Sequence, residues 1–325
     1  MTLEVFYSIM HWAIYIMIPL VVVSLGGLFS EKSGVINIAL EGKMILGAFS
    51  GTIFMYYVQR VWEINMSSWL LLLLTLLIAM ATGVLISLAH AYASINLRAN
   101  QVISGIAINM FAAAIAIYAA RAMTRDGTQH VHFRNVFRID NVPLLHRIPV
   151  LGPMLFQNTY FTSLLGVIIL LVSAFVLYKT KFGLRLRACG EHPQAADSVG
   201  VSVTKMRYAG VIISGALAGM GGVLYIVPIA SAFSGTVAGY GFLALAVLIF
   251  GAWKPQRIFF AAFFFGLMLS VASQFSAIPF LRDLGLHANF FRMAPYVATL
   301  IVLALTSKNT LAPKALGQAY DKGGR

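Results

Sequence analysis

Charged residues are scarce in this sequence. Only 10% of its 325 residues are Asp, Glu, Lys or Arg and 60% are hydrophobic, against roughly 25% charged in soluble proteins. So few charges cannot cover a water-facing surface, and lipid is therefore the solvent for most of the chain. The single cysteine, Cys189, excludes an intrachain disulfide. The chain also lacks a G-x-x-x-x-G-K-[ST] phosphate loop, an H-E-x-x-H helix and a G-x-S-x-G elbow. No catalytic residue is assigned, and no ATP-hydrolysing centre is expected here. His130 and His132 read as residues of a solvated loop rather than metal ligands, so no metal or cofactor is expected on this chain. A net charge of +13 falls in segments between apolar stretches, where basic residues set orientation, which argues against nucleic-acid binding.

What is present is a series of apolar runs. A crossing needs about 20 predominantly apolar residues, because a helix rises about 1.5 Å per residue through about 30 Å of hydrocarbon. Such runs predict nine spans, with eight to ten admissible: 5–28, 36–58, 67–90, 101–120, 158–179, 207–230, 237–252, 258–276 and 292–306. The fold class is all-α, a polytopic integral membrane protein in a single transmembrane domain over 1–325. The first run has no basic n-region or small-x-small cleavage site and should be a retained span. The stretch 237–252 is short and starts in Gly-rich sequence, so it can be a broken or re-entrant helix, which would change the count.

Lys and Arg favour one orientation. With 180–206 in the cytosol, fourteen basic residues lie inside and eight outside, and Lys43 falls within a span. The amino terminus is then outside and the tail "SKNTLAPKALGQAYDKGGR" is cytosolic. The outer loop 121–157, with five arginines, runs against the bias.

Four polar or glycine-rich segments stand out. "KTKFGLRLRACGEHPQAADSVGVSVTKMRYAG" separates two strong spans by about 27 residues, where helix connections usually take 2 to 8. Pro193 suits a first helical position and Gly200 a left-handed stop, so a short helix is expected over Gln194–Val199, with Ala195 and Ala196 as small exposed side chains. That helix either docks another protein or only stabilises the loop. "GLFSEKSGVINIALEGKMILGAF" concentrates Gly, Ser and Asn, Asn37 among them, where one span ends and the next begins. It also places Glu41 early in an apolar helix, where a lone charge costs on the order of 3 kcal/mol and needs a partner, a cavity or the membrane boundary. "NLRANQVISGIAINMF" carries Asn96, Asn100, Gln101, Ser104 and Asn109. Asn96, Asn100 and Ser104 repeat every four residues, which suits helix-to-helix hydrogen bonding or a substrate path. "SGALAGMGGVLY" is a small-residue seam for close packing, and Phe233, Tyr240 and Phe242 lie beside glycines where rings can stack on a flat ligand or form an interfacial belt.

Together, "GLFSEKSGVINIALEG", "NQVISGIAIN", "TKFGLRLRACGEHPQAADSVGV", "SGALAGMGGVLY", "GYGFLALAVLIFGAWKP" and "APYVATLIVLAL" resemble, in order and over most of the chain, the permease subunits of bacterial ABC importers of the branched-chain amino acid, ribose and nucleoside group. The likeness is nearest to the nucleoside or simple-sugar permeases. It implies that Gly190, Glu191, Pro193, Ala195, Ala196 and Gly200 form the segment that couples to a cytosolic ABC ATPase, which holds Mg-ATP. It also implies a second permease chain, commonly a different one, an extracytoplasmic binding protein or lipoprotein, and a bacterial cytoplasmic (inner) membrane. A nucleoside is the leading substrate; riboflavin and a simple sugar such as ribose use related permeases. An ion-driven secondary transporter would need more intramembrane charges than Glu41 and Lys43 supply. Asn37, Glu41, Gln101, Asn109, Phe233, Tyr240 and Phe242 are the candidates for the substrate pathway. Ala39 and Lys43 depart from the family pattern, where glycine and an apolar residue are more usual. Lys43 can pair with Glu41 or reach the membrane boundary.

Overall fold

A computed structural model describes residues 3–321 apart from 125–126, 135–136, 143–145, 147, 150–151, 231, 276–277, 279–280, 282–287 and 307–311. Among the described residues nine helices follow the apolar runs: α1 Leu3–Lys32, α2 Leu40–Tyr56, α3 Ser68–Ala91, α4 Gln101–Met123, α5 Phe161–Lys179, and then, after two short helices α6 Lys181–Glu191 and α7 Pro193–Ser198, α8 Val203–Tyr225, α9 Tyr240–Phe250, α10 Pro255–Ser273 and α11 Ala288–Thr306. Helices α2, α3 and α8 each end in a five-residue π turn, Tyr57–Val61, Tyr92–Asn96 and Ile226–Ala230. Among the described residues, six helices, counting these extensions, are long and apolar enough to span a membrane. The other three are the 17-residue α2 with its π turn, the short α9, and α11.

Sequence explains which helices are central. A helix that is apolar all round is at home only when surrounded by protein or lipid; α1 is surrounded by protein, buried from Ala13 through Glu31 apart from Ile14. Its main partner, α8, carries the small-residue seam, and α8 packs on α1, α2 and α3. The seam works by backbone contact. A Cβ added to Gly219 would strike the carbonyl of Ala79, one on Gly47 would strike the backbone of Gly219, and one on Gly222 would strike the carbonyl of Met44. Helices α4 and α5 are peripheral and turn large apolar side chains outward, Met110, Phe111 and Tyr118 on α4 and Ile168, Leu171 and Phe175 on α5.

The segment after α8 returns into the bundle without helix. Ala232–Phe233 (β4) pairs antiparallel with Val131–His132 (β1), and α9 starts only at Tyr240, beside the first turn of α2. From there α9 runs to the end that carries α6 and α7, where the Trp253 indole donates to Glu31 at 2.5 Å. The short stretch is thus an eleven-residue helix that starts inside the bundle, after non-helical backbone, and ends beside the end of α1. At the opposite end, Arg138–Asn141 (β2) pairs with Gln157–Tyr160 (β3), and the Tyr15 hydroxyl donates to the Asn158 carbonyl. The described strands of the basic loop 121–157 therefore lie against α1.

Candidate functional site

Two regions take up most of the polar residues singled out in the sequence. The first is the interval after α5. Thr180 caps α6, its hydroxyl oxygen accepting from Gly183 N at 3.1 Å. His192 then leaves helical geometry, Pro193 opens α7 at its first position, and Gly200 (φ +81°) stops it in the left-handed region. The bounded short helix is present as expected, preceded by a further helix, α6, that was not.

The expected exposure of Ala196 is not found. Ala195 faces outward, but Ala196 packs with Cys189 and Val203 and is buried, as are Pro193 and Gly190. A six-residue helix lying on a surface must bury one side, and Ala196 is on that side. The outward face is made by Gln194, Ala195, Ser198 and Val199, the last 77% exposed. Val199 is an apolar side chain at the tip that the sequence reading placed in the helix without a role. Gly190 is a close-approach position: a Cβ there would run into the Lys32 carbonyl. Burial pushes the Cys189 thiol pKa up, consistent with an unreactive packing role.

The second region is the break between α1 and α2. Residues 34–39 leave regular helix inside the bundle, and side chains of α3 and α4 take up backbone groups this frees. Gln101 Oε1 accepts from Ile36 N at 2.7 Å, Asn109 Nδ2 donates to Ile38 O at 3.0 Å and Asn109 Oδ1 accepts from Gly42 N at 2.7 Å. His90 bridges Ile36 O and Ser104 Oγ, each at 3.0 Å. Asn37 donates to Ser214 Oγ at 2.6 Å and accepts from Lys43 Nζ at 2.9 Å. Gln101 and Asn109 thus act as tethers between helices. Asn100 caps α4 through Val102 N and Ile103 N, and Asn96 accepts from the Tyr208 hydroxyl. The four-residue spacing of Asn96, Asn100 and Ser104 therefore does not make one face, because the turn between α3 and α4 interrupts it.

Glu41 joins the two broken helices. It lies in the first turn of α2, and its carboxylate accepts from Gly239 N at 3.0 Å and Gly241 N at 2.6 Å, at the start of α9. Two helix amino termini therefore converge on one carboxylate inside the bundle, where both partial positive ends favour it. Lys43 takes neither course expected of it. It is fully buried, and among the described residues it forms no ion pair with Glu41, whose oxygens are occupied by backbone N–H groups.

The three aromatic candidates do not converge. Phe233 is fully buried in β4 against Phe49, Tyr240 packs on Tyr225 with ring centroids 4.4 Å apart, and Phe242 lies half exposed on α9. His90 and Ser214 belong to the site and were not singled out for it; a histidine near the end of an apolar helix was the available signal. Among the described residues no cluster of three or more His, Cys, Asp or Glu side chains gathers.

Comparison with known proteins gives this geometry a context. The model of a family described as branched-chain amino acid transport system / permease component matches residues 9–305. The chain is 43% identical to the guanosine ABC transporter permease protein NupQ of Bacillus subtilis, covering 94% of both chains. It is 41% identical to the nucleoside ABC transporter permease protein NupC of Lactococcus lactis, over 94% of this chain and 93% of that one. At 30% identity it also matches the putative glucose ABC transporter permease protein TsgC13 of Haloferax volcanii, over 93% and 94%. No solved structure matches.

Proposed function

Because the chain belongs to the branched-chain amino acid transport system permease family, we propose that it is the membrane subunit of an ATP-driven importer and that its substrate is a nucleoside. The observation that carries the substrate is the identity above 40%, over nearly the whole chain, with two permeases named for guanosine and for nucleosides. On this reading ATP is hydrolysed by a separate cytosolic chain, a second and different permease completes the pathway, and a binding protein delivers the solute on the side of the β-sheets. The membrane is the cytoplasmic membrane of a bacterium, with α7 on the cytosolic side.

The geometry supports a specific division of labour. The outward face of α7, with Ala195 small and Val199 projecting, is the contact for the ATPase. Gly190 sits against the end of α1, so a push on α7 arrives where α1 gives way to residues 34–39. Irregular backbone inside a membrane protein is tolerated where protein surrounds it or a cavity is lined, and it bends more readily than helix. Segment 34–39, Glu41 and the start of α9 form the part that moves to open the pathway alternately to each side. Uptake of radiolabelled nucleosides, ribose and glucose into vesicles carrying the assembled importer tests the substrate. Nucleoside uptake that unlabelled ribose and glucose do not compete is the expected result, and sugar uptake without nucleoside uptake would refute it.

A further inference from the structure

The last described stretch of the chain, residues 312–321, is not a loose tail. After α11 it returns to the α7 end and attaches to four separate parts of the protein. Ala315 N donates to Gly190 O at 2.9 Å, and Gly317 N donates to Gly34 O at 3.0 Å. Arg207, in the first turns of α8, donates through Nη1 to Gln318 O at 2.9 Å, and Arg98, between α3 and α4, pairs with Asp321 at 3.1 Å. Ala315 is buried, and the Tyr320 ring packs on the cluster of Cys189, Ala196 and Val203.

Arg207 is the post around which this is built. It is 1% exposed and among the largest fully buried side chains of the protein, and Gln318 O is its one hydrogen-bond partner among the described residues, Nε and Nη2 having none. A buried guanidinium is costly to leave unpaired, so the tail carbonyl it holds is a built contact. Gly34 (φ +96°) fits against it: a Cβ there would lie 3.1 Å from Arg207 Nη2 and 3.4 Å from Ala315 O.

Gly190 and Gly34 are the two ends that matter. Gly190 closes the segment leading into α7; Gly34 opens the break that leads to Asn37 and Glu41. The tail hydrogen-bonds to both through residues two apart, Ala315 and Gly317, and its own turns, Leu316 N to Pro313 O and Gln318 N to Ala315 O, stiffen that short span. We propose that residues 312–321, anchored by Arg207, are a strap that fixes the α6–α7 segment to the break between α1 and α2, so that both move as one body during transport. Arg207 is then a positioning residue for coupling. The inference rests on the reading that α7 receives the ATPase.

The test uses the complete importer with two variants of this chain, one ending at residue 311 and one carrying Gly317→Pro, which removes the donor to Gly34 and cannot adopt a positive φ. Four quantities are read: ATPase retained per permease, ATP hydrolysis with solute-loaded binding protein, solute taken up per ATP, and maleimide labelling of Cys189. The expected result is retained ATPase and retained hydrolysis, uptake per ATP lowered by about tenfold, within the range usual for coupling between two sites, and Cys189 newly labelled. Unchanged uptake per ATP, or Cys189 still protected, would overturn the strap. Loss of the ATPase would make the tail part of the docking surface instead, and failure of both variants to reach the membrane would make it part of the folding core; either overturns the proposal. Ala195→Glu with the tail intact keeps the two readings apart: if it leaves the ATPase bound and coupled, the role of α7 fails whatever the tail variants do.

Discussion

Glu41 carries the most consequence for a single side chain. Its two oxygens satisfy two N–H groups at the start of α9, and a buried unsatisfied donor costs about 1–3 kcal/mol. Glu41→Ala should lower the melting temperature in detergent and abolish transport, while Glu41→Gln, which keeps one acceptor oxygen, should fall between it and the parent in both. Equal stability of all three proteins would show that the carboxylate does not hold α9. Lys43 invites the opposite expectation: its amino group is buried and, among the described residues, bonds only the neutral Asn37, so Lys43→Met, which removes a buried polar group but leaves Asn37 Oδ1 without this donor, should cost no more than about 1–3 kcal/mol and should leave uptake intact. Marked loss of uptake from a well-folded Lys43→Met chain would place the charge in the pathway. Sequence shows that an acid and a base lie two residues apart in an apolar helix; it does not show that a segment two hundred residues away supplies the acid's partners, because backbone N–H groups leave no mark in composition.

At the scale of elements, α7 and the α8 seam make contrasting predictions. Ala195→Glu adds bulk and charge to an outward face and should leave membrane insertion and melting unchanged while uncoupling ATP hydrolysis from uptake. Ala196→Glu instead forces a carboxylate among Cys189 and Val203, and the amount of folded protein should fall. If the two variants behave alike, the assignment of faces on α7 is wrong. Gly47→Ala drives a methyl into the backbone of Gly219, an overpacking that costs typically about 1–3 kcal/mol and should appear as a lower melting temperature. These elements differed in legibility. Pro193 and Gly200 bound α7 through fixed backbone preferences, and the seam shows itself through glycines at helical spacing. Which side of α7 is covered depends on Cys189, Val203 and a tail more than a hundred residues further on, and no local pattern encodes that. The aromatic residues Phe233, Tyr240 and Phe242 look alike in sequence, and their separation follows from α9 starting only at Tyr240.

For the whole molecule, the start of α1 lies at the sheet end and the described tail beside α7, at opposite ends of the bundle, where the orientation that the basic residues favour would put the two termini. Length and hydropathy made the spans legible; the broken α9 was legible only as a short, Gly-rich run. On the proposed function the fold converts ATP hydrolysis in a partner chain into movement of a nucleoside. The most direct test of that function is the ATP hydrolysis rate of the importer purified from native membrane, measured with binding protein alone and with binding protein loaded with a nucleoside. The rate should rise with the nucleoside-loaded form and not with the empty one; a rate that ignores the nucleoside, or a permease that purifies with no ATPase from membranes whose complexes are preserved, would overturn the proposed function.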